Sequence, residues 1–202
     1  MAQAFYDFSA RPTIEAFDEG HYFHPASKNH YEMRSVEGEL ELTRYRLRED
    51  GRRTLVHRQR GQYVVGSGNH VRTYLYRNNA GELYQLPVVW YSREKKWGMA
   101  PGYDRPDHPD FSRPITRHCL FCHNAYPAHE PGSDQFAMPN RFPVELPQGI
   151  GCQRCHGPGS EHVRISDSSD WDDAVQLTRV NDSIVNPAKL PVDRQDDVCN
   201  QC

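Results

Sequence analysis

Between about Gly20 and Tyr103, apolar and polar residues alternate with a period of two. In "ELELTRYRL" Leu40 and Leu42 alternate with glutamates, "EDGRR" supplies a turn, "HVRTYLYR" alternates again, and "NNAG" turns the chain into "ELYQLPVVWYS". The pattern predicts an antiparallel meander with one polar face. Pro87 has no N–H to give to a ladder, which moves its predicted strand to an edge or breaks it. Next comes "PGYDRPDHPDFSRP", with four prolines in fourteen residues, too many for a helix or a central strand. It is predicted to be an ordered connector. From Ile115 onward the pattern allows only short helices. The best of them is "PVDRQDDVCNQC", whose early aspartates suit the positive end of a helix dipole. The glycines and proline of "CHGPGSEH" rule out regular helix across that stretch. The expected class is therefore α+β. Residues 1–105 form a strand-rich platform, and residues 106–202 form a mostly irregular, short-helix segment that holds every cysteine.

All six cysteines fall into Cys-x-x-Cys pairs, at Cys119/Cys122, Cys152/Cys155 and Cys199/Cys202. Such regular spacing argues for cofactor or metal ligation over a disulfide framework. A histidine directly follows two of the pairs, giving Cys119, Cys122, His123 and Cys152, Cys155, His156. With 11 histidines among 202 residues, a histidine follows a given pair by chance about one time in 18. Covalent c-type haem asks for this arrangement: two thiols spaced for two vinyl groups, then an imidazole for the iron. Zinc is the competing reading, since two Cys-x-x-Cys pairs can close a tetrahedral site. The usual gap between such pairs is about 15–20 residues. Here the gaps are 29 and 43 residues, and zinc gives no reason for the following histidines. A redox-active dithiol is a third reading.

A proximal histidine fills one axial position of haem iron, and a second histidine opposite lowers the reduction potential relative to methionine. His162 is the first distal candidate, because the glycine turn in "CHGPGSEH" can carry its imidazole toward a neighbouring haem. His70 is the second, since "GSGNH" places it after a flexible turn at a strand entrance. His129, His118 and His24 follow, with Met99 and Met138 as methionine alternatives.

Composition adjusts this picture in three ways. A mean hydropathy of -0.85 is low for the chain's length, which fits an interior partly filled by a large apolar cofactor. A net charge of -3 without a basic block gives no nucleic-acid footprint. The basic residues are 20 Arg and 4 Lys, and guanidinium groups either lie solvated on the surface or fork onto carboxylates, including those of a cofactor. No run of 18 apolar residues is long enough to span a membrane.

The segments "GSGNHVRTYLYR", "PGYDRPDHPDF", "CLFCHNAYP", "LPQGIGCQRCHGPGSEHV" and "IVNPAKL...VCNQC" together make the chain from about residue 20 resemble bacterial multihaem c-type cytochromes of the cytochrome c-552/4-like group. In that group haem-bearing segments are often followed by tetratricopeptide repeats. The resemblance implies electron transfer through closely spaced haem c groups outside the cytoplasm, in the periplasm or an equivalent space. It implies proximal roles for His123 and His156, and a distal role for His162 toward another haem. Its expected partners are a redox protein or further haem domains of the same chain. Members usually carry an export signal, an upstream Cys-x-x-Cys-His and more chain downstream. The resemblance therefore implies that these 202 residues are a fragment with two complete haem sites and a third, Cys199/Cys202, that lacks its histidine. Two other classes stay open: a multihaem redox enzyme with an open axial site, and a zinc-stabilised binding module. Some multihaem reductases mark the catalytic haem with lysine in place of the motif histidine, and no Cys-x-x-Cys-Lys occurs here.

Overall fold

The computed structural model describes residues 4–125, 127–135, 138–168 and 174–201. Antiparallel sheets occupy the chain as far as Ile115, and short helices and irregular segments follow, an α+β architecture. The chain folds into two compact units, one over residues 2–149 and another over residues 150–202. The composition changes near residue 105, but the boundary between the units falls at residue 150. The first cysteine motif therefore belongs to the unit that carries the sheets.

One sheet contains β2 (His21–His24), β3 (Asn29–Val36), β4 (Glu39–Leu47) and β5 (Arg53–Gly61), paired in that order. The alternation read from "ELELTRYRL" is realised in β4, where Leu40 and Leu42 are buried and the intervening Glu41 is half-buried. The other sheet has the order β1 (Phe5–Asp7), β6 (Tyr63–Val65), β7 (Val71–Arg77), β8 (Leu83–Tyr91) and β10 (Pro114–Ile115), with β9 (Lys96–Met99) also pairing with β8. Strand β1 falls outside the predicted strand region, as does β10. Both are too short for a period-two signal.

Pro87 corrects one expectation. It lies in β8, which pairs with β7, β9 and β10 and is central in its sheet. The β7–β8 register jumps between Thr73↔Val89 and Leu75↔Gln85, so a bulge falls around Pro87. There the missing N–H costs no ladder bond. The Pro87 carbonyl is used, accepting from the Ala100 N–H at 2.8 Å.

The two sheets share a core in which Tyr31, Met33, Leu40 and Leu42 meet Tyr74, Leu86, Val89, Trp90 and Trp97. Each such side chain contributes roughly 1.5–3 kcal/mol by leaving water. A second cluster joins Phe5, Tyr63, Leu75, Leu83, Ile115, Leu120 and Phe142. The strand β10 and helix α1 (Arg117–His123) are thus held against the sheet that β8 centres. The proline-rich connector is ordered as expected. Arg44 Nη1 donates to Asp110 Oδ2 at 2.7 Å, and the Tyr76 hydroxyl donates to the Phe111 carbonyl at 2.7 Å.

Gly66 ends β6 with φ +108, and a Cβ built there would lie 2.4 Å from the Val71 carbonyl oxygen. Gly66→Ala is expected to cost about 1–3 kcal/mol through strain and overpacking. Urea unfolding should show a lower midpoint with an unchanged slope.

The second unit contains α2 (Gln153–His156), α3 (Ser160–Ser166), α4 (Ala174–Asp182) and α5 (Val192–Cys199). Helix α5 matches the predicted one, with Asp193 in its first turn. "CHGPGSEH" is broken as expected at Gly157, which has φ 71, yet its two ends are helical. His156 closes α2 and His162 sits inside α3. The helix-breaking residues act only between these two helices.

Candidate functional site

Cys119, Cys122 and His123 all lie on α1. A spacing of i, i+3 and i+4 puts the three on one helical face, about one turn apart. The helix starts where the Cys119 and Leu120 N–H groups bond the Thr116 carbonyl, at 3.0 and 3.2 Å. It stops at Asn124, whose backbone turns extended at φ -134. Leu120, 1% exposed, pins the helix to the apolar cluster beneath it.

Beside this face opens a cleft of ≈ 330 Å³, at the lower end of the range for small-molecule sites, about 300–1,000 Å³. Val71, Thr73 and Leu75 from one face of β7 floor it, with Val65, Ile115 and Leu120. Cys119 and His123 line its wall, and Arg113 and Gln85 add polar groups to the lining. His123 is exposed, and the protein packed against part of its ring pushes its pKa below the ordinary imidazole value. The neutral ring, the form that ligates metal, is thereby favoured. Neither of its ring nitrogens has a hydrogen-bond partner among the described residues.

The second motif repeats the local geometry. Cys152 caps α2 in helical conformation, Cys155 and His156 follow at i+3 and i+4, and the His156 N–H bonds the Cys152 carbonyl at 3.0 Å. His156 Nδ1 lies 2.7 Å from the Val185 carbonyl oxygen. A carbonyl can only accept, so Nδ1 carries a proton, and in the neutral ring the lone pair lies on Nε2. Metal-binding histidines are commonly oriented in this way by a backbone carbonyl. The Val185 N–H returns a bond to the His156 carbonyl at 3.2 Å, fixing the pair.

His162 has the same proton placement. Its Nδ1 lies 3.1 Å from both the Val180 carbonyl and Ser183 Oγ, and the Ser183 hydroxyl donates to that same carbonyl. In the neutral ring of His162 the lone pair again lies on Nε2. These two histidines and their carbonyl partners all belong to the unit over residues 150–202.

The remaining candidates divide. His24 is 1% exposed, with Nδ1 at 2.8 Å from Ser27 Oγ and Nε2 at 3.2 Å from Asp104 Oδ1. Both nitrogens are engaged, so its place is structural. His70 is exposed, and Arg93 approaches its Nε2 at 3.4 Å. It does not line the cleft beside His123. His129 lies 3.6 Å from Asp134 and shares with His118 a separate hollow that also includes Arg117 and Phe121. Met99 is a core residue, and Met138 is 56% exposed. Cys199 ends α5 in an exposed position, and Cys202 lies outside the described residues.

None of the five described cysteines is in a disulfide. Among the described residues, no three His, Cys, Asp or Glu side chains converge at metal-ligand distance. Sequence reasoning missed Arg113 and Gln85, whose role at the cleft depends on chain distant from either motif. Comparison with models of known families, with curated proteins and with solved structures gave no match.

Proposed function

We propose that this chain is an electron-transfer segment of a multihaem c-type cytochrome, with haem attached at Cys119/Cys122 and Cys152/Cys155. The observation that carries the reading is the first site: Cys119 and His123 line one wall of an apolar cleft, from a helix anchored by Leu120. A porphyrin needs apolar cover, a reachable thiol and an imidazole, and the apolar lining together with Cys119 and His123 supports the reading. Cys119 and Cys122 would hold the group through thioether bonds to its two vinyl groups, an addition of S–H across C=C that calls for no oxidant.

When bound, haem supplies the one-electron chemistry, and the chain supplies ligation, burial and charge. His123 and His156 would ligate the iron of these two haems. His162, with Nε2 directed away from its carbonyl anchor, is the leading distal candidate for a neighbouring haem. Because haem is attached outside the bacterial cytoplasm, the reading places the working protein there. Its partner is a redox protein or further haem-bearing chain. No helix among the described residues is long and apolar enough to cross a membrane.

The test is to express the chain behind an export signal in a host with cytochrome c maturation machinery. A pyridine haemochrome spectrum is then taken on denatured, solvent-extracted protein. The expected outcome is a c-type band equivalent to two haems per chain. A colourless protein carrying zinc would remove the electron-transfer reading and leave the structural module.

A further inference from the structure

Within the cleft beside α1, one charged group has no charged counterpart. Arg113 lines the cleft together with Cys119 and His123. Its Nη1 donates to Gln85 Oε1 at 3.3 Å and to the Pro101 carbonyl at 3.0 Å, and its guanidinium carbon lies 4.3 Å from the centre of the Tyr103 ring. All three partners are neutral, and Arg113 forms no ion pair among the described residues. Elsewhere in this unit Arg44, Arg53, Arg60 and Arg72 each meet a carboxylate, whereas Arg46 and Arg77 bond an amide or carbonyl oxygens away from this cleft.

The position of Arg113 is fixed from both ends. Its backbone carbonyl accepts from the Gln85 N–H at 3.0 Å, and its side chain bonds the amide of the same residue, which is 8% exposed. Gly102 leaves the room required: a Cβ there would come within 2.9 Å of Arg113 Nη2. Both side-chain bonds leave from Nη1, so Nη2 and Nε keep their donors. A held guanidinium with free N–H groups on the rim of an apolar cleft is a recognition element for a planar anion.

We infer that Arg113 is a carboxylate anchor of the cleft, and that the carboxylate it takes is a propionate of the haem attached at Cys119 and Cys122. The inference rests on the haem reading above. It makes Arg113 a binding residue for the cofactor's polar edge, opposite in chemistry to the Val71, Thr73 and Leu75 floor. A fixed positive charge near the porphyrin favours the reduced, less positive form, so Arg113 raises that haem's potential.

The experiment uses the full haem-loaded chain, with Arg113→Gln and Arg113→Lys as variants. Spectroelectrochemical titration resolves the two haems, after a haemochrome spectrum has fixed the haem content of each protein. In Arg113→Gln, one of the two components is expected to move to more negative potential while the other stays in place. Arg113→Lys keeps the charge but loses the fork, and its shift is expected to be smaller. Two haems per chain with both potentials unmoved in Arg113→Gln would overturn the carboxylate anchor and leave the haem reading standing. A parent chain without covalent haem would overturn both. A Gln variant that unfolds is distinguished by its circular dichroism melt, and the Lys variant then decides: a potential equal to the parent's in a folded protein supports simple charge placement and overturns the forked contact.

Discussion

Replacing Cys119 and Cys122 together by alanine is expected to halve the covalent haem, from two per chain to one, as read by haemochrome spectrum and intact mass. Neither thiol is buried, so their loss removes little packing, and surface changes of this kind usually alter stability by less than about 0.5 kcal/mol. Leu120 and its cluster hold α1 in place in the variant as in the parent. The loss of haem can therefore be assigned to chemistry and not to unfolding. The single change Cys119→Ala should leave one thioether and one intact vinyl group, moving the haemochrome band to longer wavelength. The corresponding pair Cys152→Ala and Cys155→Ala should remove the other haem and spare the first. Haem content that stays at two in either double variant would mean that attachment occurs elsewhere, and the assignment of these motifs would be lost.

The one-face placement of Cys119, Cys122 and His123 on α1 was legible in the sequence because i, i+3 and i+4 spacing is local. Strand β4 was equally legible, since a solvated face and a buried face imprint alternation on Leu40, Leu42 and their glutamate neighbours. The bulge that accommodates Pro87 was not legible, because it depends on the register of β8 against Thr73 and Leu75. Helix α3 was hidden by the glycines just before it. The cleft itself was invisible. Its lining is drawn from β6, β7, β8, the connector and α1, and nothing in the sequence marks Val65, Gln85 and Arg113 as neighbours. The proton placement on His156 was out of reach for the same reason, since its partner Val185 lies 29 residues away. Local spacing patterns are visible in one dimension, whereas enclosure and the hydrogen-bond partners of a side chain are products of the fold.

The largest single effect on stability is expected at a buried pair that no motif announces. The Glu15 side chain is fully buried and that of Arg72 is 7% exposed, and Arg72 Nη1 reaches both carboxylate oxygens at 3.2 Å. The Tyr74 hydroxyl donates to Glu15 Oε1 at 2.6 Å, and the Ile14 N–H donates to Oε2 at 2.9 Å. Burial, together with the adjacent Glu15 carboxylate, holds the Tyr74 pKa well above the ordinary phenol value, so that the hydroxyl remains a donor. Glu15→Gln preserves volume but leaves the Arg72 guanidinium without its counter-charge. The expected cost is about 3–5 kcal/mol, much of it the penalty of an uncompensated buried charge. For a chain of this size that corresponds to a fall in Tm of roughly 6–20 °C. Tyr74→Phe removes only one bond to a charged acceptor and should cost about 1.5–3 kcal/mol. The pair Glu15→Leu and Arg72→Met should cost less than the sum of the single changes, because neither charge is then left alone. The effect reaches the cleft through β7, which turns Arg72 and Tyr74 toward Glu15 and Val71, Thr73 and Leu75 toward the cleft. A Glu15→Gln chain that loses less than about 1 kcal/mol in urea unfolding would show that the Arg72 charge does not depend on this carboxylate for compensation. It would also remove the case that the ion pair braces the cleft floor.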